Sequence, residues 1–187
     1  MAKRAIKPNR PIHPSPAALV TSADADGRPN VVTLGEGFNV SIASPVIVGI
    51  AIRTVTYSYA LIRDGGEFVV NLPTADMLEA VDGVGSISGR ECDKFQRFGL
   101  TALPAERVRP PLIAQCPLNV ECRVLSEQQV GDHQLFLGEA LAEHVDEDCL
   151  REDGSPDPER LNLLIYAAGL YFAAGRCLGR HGFTRNA

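Results

Sequence analysis

The first third of the chain is a succession of short apolar runs broken by turn residues, and it reads as β-structure. Ala18-Leu19-Val20-Thr21-Ser22 is strand-like, Asp24-Ala25-Asp26-Gly27 supplies turn chemistry, and Asn30-Val31-Val32-Thr33-Leu34 returns. An Asp-Gly step between two such runs predicts a hairpin. After Gly35 and Gly37 a strand covers Phe38 to Ile42, and Pro45 opens another, Val46 to Ile52. The near-continuous apolarity of that strand predicts burial on both faces. The period then changes. Tyr57, Ala60 and Leu61 fall at helical spacing, which predicts a helix over 54–64 with Thr54 as N-cap and Gly65-Gly66 as the stop. A strand over Glu67 to Asn71 follows, then a short helix over Ala75 to Val81 capped by Thr74, and a third over Cys92 to Phe98 closed by Gly99.

Downstream, Arg107 to Pro111 is a proline-broken connector. Two long strands, Leu118 to Leu125 and Gln134 to Val145, flank a Gly131-Asp132 turn. The acidic stretch Asp146 to Pro158 reads as a solvated loop, Glu159 to Ile165 as a short helix, and a tail carrying Tyr166, Tyr171, Phe172 and Phe183 ends the chain. Many strands with short helices between them predict a mainly β domain, an antiparallel barrel with helical decoration. It occupies residues 17–187 behind an N-terminal tail, 1–16.

Composition removes several function classes. A net charge of −5 gives no global attraction for nucleic acid or acidic membranes. The basic start (Lys3, Arg4, Lys7, Arg10) has no apolar run behind it, so it reads as a solvated tail rather than a secretory signal. The run Val46 to Ile52 is far too short to cross a bilayer. Cys92, Cys116, Cys122, Cys149 and Cys177 form no C-x-x-C pair and lie at no zinc spacing from histidine, which points to reduced thiols and a cytoplasmic protein. Only Cys92, near an arginine and a predicted helix start, has the setting of a reactive thiol. His13, His133, His144 and His181 are scattered and support no nucleophile triad. Neither a G-x-G-x-x-G after a strand nor a Walker sequence is present.

The chemistry concentrates in Gly85-Ser86-Ile87-Ser88-Gly89-Arg90-Glu91-Cys92-Asp93-Lys94-Phe95. Glycines let a backbone approach a ligand, while Ser86, Ser88, Arg90 and Lys94 supply donors for an anion or a polar ring edge. Before it stands Gly66-Glu67-Phe68-Val69-Val70-Asn71-Leu72-Pro73, and after it Cys116-Pro117-Leu118-Asn119-Val120-Glu121-Cys122 and Leu135-Phe136-Leu137-Gly138-Glu139. In this order, from Ala17 to Phe183, the pieces resemble the flavoredoxin branch of the flavin reductase-like family.

That resemblance implies a Greek-key split β-barrel, bound FMN, NAD(P)H as co-substrate and a homodimer with flavin near the subunit boundary. It places the FMN phosphate at Thr56 and Ser58, with Arg53 and Thr54 just upstream. The flavin ring falls beside Thr33, Leu34, Gly35, Glu36, Gly37, Phe38 and Asn39. Ser86, Ser88, Gly89, Arg90 and Lys94 serve the phosphate or the ring edge. Each residue also has a plainer reading: a helix cap for Thr54, turn geometry for Gly35 and Gly37, and surface pairing for Arg90 and Lys94. Glu36 departs from the pattern, because relatives often carry an aromatic or small polar residue there. A carboxylate beside the ring would oppose a reduced, anionic flavin, so Glu36 either faces solvent or holds the ribityl chain. The function implied is hydride transfer from NAD(P)H to bound flavin, then electron transfer to a small-molecule or protein acceptor. An FMN electron carrier without NAD(P)H oxidation and a barrel binding some other small ligand are the alternatives.

Overall fold

The computed structural model describes residues 1–186. In chain order the strands are β1 (Ser15–Pro16), β2 (Ala18–Ala23), β3 (Pro29–Leu34), β4 (Gly37–Ser41) and β5 (Ile47–Arg53). Helix α1 (Tyr57–Gly65) leads to β6 (Glu67–Leu72), then α2 (Leu78–Ser86) and α3 (Lys94–Arg97). The short β7 (Ala102–Leu103) and β8 (Leu112–Ile113) precede the long hairpin of β9 (Leu118–Val130) and β10 (His133–Val145). Helix α4 (Pro158–Leu161), β11 (Leu164–Ala167) and β12 (Leu170–Ala173) complete the order.

Seven strands form one antiparallel sheet in the order β3-β2-β6-β9-β10-β5-β4. Its two edges, β3 and β4, are separated by only Gly35 and Glu36 in the chain. One long bent strand therefore supplies both ends of the sheet and curls it into a barrel, split where β3 hands over to β4. The step from β5 to β6 crosses the barrel through α1, which gives the Greek-key connection. Alternate residues of β2 then face two cores. Val20 points into the barrel with Leu34, Ile50, Ile52, Ile62, Phe68, Cys122 and Phe136. Leu19 points outward, with Val31, against Val81 and Val84 of α2 and Leu164 of β11. Strand β2 is thus buried on both faces.

Several local expectations need correction. Strand β5 is buried at Ile50 and Ile52, but its other face is only half covered, because β4 beside it is an edge. The cap of α1 is Thr56, not Thr54: its Oγ1 accepts the Tyr59 N–H at 3.2 Å and donates to the Arg53 carbonyl at 2.9 Å. Val55, which looked like part of the helix, is 70% exposed in that turn. The helix ends at Gly66, whose φ of 69° returns its N–H to the Ile62 carbonyl, a left-handed cap that glycine adopts freely. The third helix is only Lys94–Arg97, capped by Asp93, so Ser88-Gly89-Arg90 forms a turn between helices rather than a helix start.

Near the C-terminus, the expected helix over Glu159 to Ile165 stops at Leu161 and passes into β11 through Asn162 at φ 44°. The aromatic tail is the β11–β12 hairpin, to which β1 adds a strand by pairing Ser15 with Tyr166. Two residues of the predicted N-terminal tail are therefore part of a sheet. Within the predicted acidic loop, Glu147–Cys149 forms a helical turn and Cys149 is buried. Cys116 and Cys122 are also buried, whereas Cys92 is half-buried and Cys177 exposed. Burial, helped by the Glu121 charge, pushes the Cys122 thiol up to about 12, and Cys116 rises too, so neither is a nucleophile.

Candidate functional site

Two cavities lie at opposite ends of β3, the strand that borders the split. The first, about 210 Å³, is walled by the bend Thr33-Leu34-Gly35-Glu36 on one side and by Asp82, Gly85 and Ser86 of α2 on the other. Tyr166, Tyr171 and Arg10 complete it. Thr33 Oγ1 donates to the Val81 carbonyl at 2.5 Å, and a Cβ on Gly85 would stand 3.2 Å from the Thr33 Cβ. Helix α2 and the edge of β3 are thereby held close enough to leave a narrow slot. Tyr171 and Tyr166 meet edge to face, 5.4 Å between centroids, and the Tyr171 hydroxyl donates to Asp82 at 3.4 Å. Burial first, then the Asp82 charge, raises the Tyr171 pKa, so this hydroxyl stays a donor.

The second cavity, about 370 Å³, lies at the Asn30 end, lined among others by Arg28, Asn30, Tyr57, Gly89, Arg90, Cys92 and Lys94. The residues between Asn30 and Thr33 span about 10 Å at the rise of a strand. Tyr57 opens α1, so this cavity sees the positive end of a helix of nine residues. The Arg90 guanidinium lies 5.0 Å over the Tyr57 ring and, among the described residues, has no carboxylate partner. Gly89 is fixed by space. A Cβ there would run into the Asn30 amide oxygen and lie 3.3 Å from Tyr57 Cδ1. Any side chain at 89 would have to push the Asn30 amide from its place beside Ser58.

Lys94 bridges the two cavities from behind. Its Nζ donates to the carbonyls of Val31 at 2.9 Å and Val84 at 2.8 Å, tying α3 to β3 and α2. Only 5% of Lys94 is exposed, and desolvation lowers its pKa against the opposing pull of Cys92. Its first task in the single chain is structural.

The residues singled out in the sequence are thus partly brought together. Thr33, Leu34, Gly35, Glu36 and Ser86 share the first cavity, while Gly89, Arg90 and Lys94 share the second. Gly37, Phe38 and Asn39 continue along β4 and line neither; Phe38 and Asn39 are exposed. Arg53, Thr54, Thr56 and Ser58 occupy the β5–α1 corner and also line neither. Ser58 is buried, and its Oγ accepts from Asn30 Nδ2 at 2.6 Å, so it touches the second cavity only through Asn30. Ser86 Oγ donates to the Asp82 carbonyl at 2.9 Å, and Ser88 Oγ accepts the Arg90 N–H at 3.2 Å, which shapes the turn.

Sequence reasoning missed Arg10, Asn30, Tyr57, Asp82, Tyr166 and Tyr171. A buried asparagine on a strand needs partners, which was a usable signal for Asn30. No local pattern pointed to Arg10. Glu36, the departure noted above, is met by Arg10 at 3.3 Å, so its charge is answered within the chain.

The two cavities together suit an elongated ligand, one end beside Arg90 among charged groups of both signs and a flat polar ring between the β3–β4 bend and α2. The first cavity, at about 210 Å³, is smaller than the roughly 300–1,000 Å³ of a usual small-molecule site, so the ring end is an open cleft in one chain.

Comparisons with known proteins agree with this geometry. Residues 10–175 match the model of the flavin reductase like domain. An uncharacterized protein of Archaeoglobus fulgidus is 40% identical over 130 residues, covering 70% of this chain and 72% of its own length. Flavoredoxin of Desulfovibrio vulgaris (Miyazaki F) superposes with a TM-score of 0.91 at 30% identity, covering 98% of this chain and all of that one. The FMN-binding protein from Thermus thermophilus, solved with bound 1-cyclohex-2-enone, gives a TM-score of 0.78 at 26% identity, covering 92% of this chain and 95% of its own.

Proposed function

The chain belongs to the flavin reductase-like family of split-barrel proteins, and from that premise we propose that it binds FMN along β3 and serves as an FMN-dependent NAD(P)H oxidoreductase. The observation that carries the reading is the pair of cavities at the two ends of β3, one beside the start of α1 where Arg28, Arg90 and Lys94 stand among Asp24, Glu91 and Asp93, the other a narrow slot beside a glycine-containing bend. Bound FMN would supply the hydride-accepting ring and the means of passing electrons onward.

The protein's own residues bind and orient. Arg90, held by the Gly89 turn and stacked on Tyr57, takes the phosphate beside the positive end of α1, whose first residue Tyr57 lines the cavity. The backbone of Thr33 to Gly37 offers donors and acceptors to the polar ring edge. Lys94 keeps α2 and β3 at a fixed separation, so the slot does not widen. Hydride transfer between two rings needs no protein nucleophile, which accords with the absence of a Ser-His-Asp constellation in the sequence. The acceptor is a small molecule or a protein.

The cleft is completed in this reading by a second copy of the chain. Strands β4 and β5 present an apolar outer face: Phe38 and Val40 are about half exposed (50% and 48%), and Ile47 is half-buried. Leu170 and Phe172 of β12 are likewise open to solvent, at 61% and 47%. Among the described residues no helix is long and apolar enough to cross a membrane. A cytoplasmic homodimer is the assembly proposed.

Anaerobic titration of the FMN-loaded protein with NADH and then NADPH tests the activity. Bleaching of the oxidised flavin band by either nicotinamide supports a reductase. Bleaching by dithionite alone favours the second reading, an electron carrier, to which the close superposition on a flavoredoxin also points.

A further inference from the structure

Beside the ring slot lies a further cavity of about 250 Å³, on the other side of Arg10. Its walls are Pro11, Ile12, Gly35, Tyr166 and Ala168, mainly apolar surface, with His13 and Ser15 at the rim. It shares Arg10, Gly35, Glu36 and Tyr166 with the slot, so the two spaces meet along one wall. That wall is built with care. Arg10 is a non-glycine residue at φ 45°, an uncommon backbone state that persists only where its surroundings hold it. Its guanidinium is held twice, at 3.3 Å from Glu36 and at 5.5 Å over the Tyr166 ring. Among the described residues it is the one member of the first fourteen with a side-chain ion pair.

Size and charge define the occupant. A cavity of roughly 150 Å³ already holds a benzene ring, so this groove, open along the exposed residues 10–14, has room for one or two fused rings against its apolar wall. Arg10 and Glu36 cancel each other at the wall. An anionic ligand that approaches Arg10 meets the Glu36 charge beside it, whereas an uncharged ring loses nothing to either.

We propose that this cavity is the acceptor subsite, that it takes a small uncharged planar ring compound of the quinone class, and that Glu36 sets its selectivity against anions. The proposal rests on the FMN reading above for its role in turnover, but not for binding. In turnover NAD(P)H gives up a hydride and becomes NAD(P)+. The hydride's two electrons reach the quinone, which takes up two protons, one replacing the hydrogen that NAD(P)H gave up and one more from solvent, and leaves as the hydroquinone.

The test is equilibrium dialysis of menadione and of 1,4-naphthoquinone-2-sulfonate against apo and FMN-loaded protein. Wild type is expected to bind menadione at least tenfold more tightly than the sulfonate, with and without FMN. Glu36→Gln, which frees Arg10, is expected to tighten the sulfonate at least tenfold and to change menadione less than threefold. The double variant Glu36→Gln/Arg10→Ala should lose that gain. Both positions lie at the surface edge of the cleft, and circular dichroism of each variant verifies the fold. Equal binding of the two quinones by wild type, or no effect of Glu36→Gln, overturns the selectivity. Competition between FMN and menadione overturns the separate subsite. A protein that takes up no FMN but shows the selectivity refutes the flavin reading and leaves the subsite standing.

Discussion

At the scale of single residues, the two ends of β3 make separable demands on a ligand. Arg90 stands at the Asn30 end with no ion-pair partner among the described residues and with its ring contact to Tyr57. A charge-assisted hydrogen bond is worth about 1.5–3 kcal/mol. Arg90→Ala should therefore weaken FMN by about tenfold or more, since ~1.4 kcal/mol is a factor of ten. Riboflavin lacks the phosphate, so its weaker binding should barely change. Ser58→Ala should behave differently. Its Oγ is the acceptor for Asn30 Nδ2 in a buried pair, so removing it leaves an unsatisfied amide and costs the fold about 1–3 kcal/mol. Its effect on FMN should be smaller than that of Arg90→Ala. Fluorescence titrations with both ligands, together with urea unfolding of both variants, check the pair. Equal weakening of riboflavin and FMN by Arg90→Ala would move Arg90 to the ring end.

At the scale of elements, one buried carboxylate fastens the connector between β7 and β8 to the barrel. Glu121 of β9 is fully buried. Its Oε1 accepts the Glu106 N–H at 2.9 Å, and its Oε2 those of Arg107 at 2.6 Å and Val108 at 3.1 Å, while His144 Nε2 lies 2.6 Å from Oε1. Burial alone would raise the Glu121 pKa. The backbone donors, Glu106 first, and His144 overcome that and hold it below the usual carboxylate value. A group with a depressed folded pKa contributes stability that is present above its unfolded pKa and lost as pH falls through the folded one. Stability should therefore fall steeply in acid, below the ordinary glutamate pKa near 4.3. Glu121→Gln should cost about 3–5 kcal/mol near neutral pH and flatten that acid limb, as read from denaturant unfolding at a series of pH values. An acid limb unchanged in the variant would assign it to other carboxylates.

The elements also show what the sequence could and could not disclose. Strands β2, β3, β6 and the β9–β10 hairpin were legible because turn residues bracket their apolar runs. The passage from α4 to β11 was not, because the run Leu161 to Ile165 satisfies a short helix and a short strand equally until Pro73 and Ala17 pair with Leu164. Thr54 and Thr56 are both able caps, and only the turn closed by the Arg53 carbonyl selects the second. At the site, the cavity around the Gly89 turn was legible from small residues before a cation. The contribution of Arg10 was not, because Arg10 meets the site through an ion pair to Glu36 and a ring more than a hundred residues away.

At the scale of the whole molecule, an apolar strand lacks cover. The near-continuous hydrophobicity of β5 predicted burial on both faces, and the single chain covers the outer one only in part. A second copy across β4 and β5 would supply the rest and close the cleft at the ring end. Light scattering at micromolar concentration should give twice the 20.1 kDa chain mass. Phe38→Asp, which puts a charge in that outer face, should shift the protein toward monomer and weaken FMN. A wild-type monomer that holds FMN as tightly would refute the shared cleft. The claim on which all of this depends is that FMN lies along β3, and denaturation of the purified protein after incubation with FMN and removal of the excess tests it most directly. The account predicts a yellow supernatant whose chromophore is FMN, about one per chain. A colourless protein that cannot be loaded with FMN would contradict it.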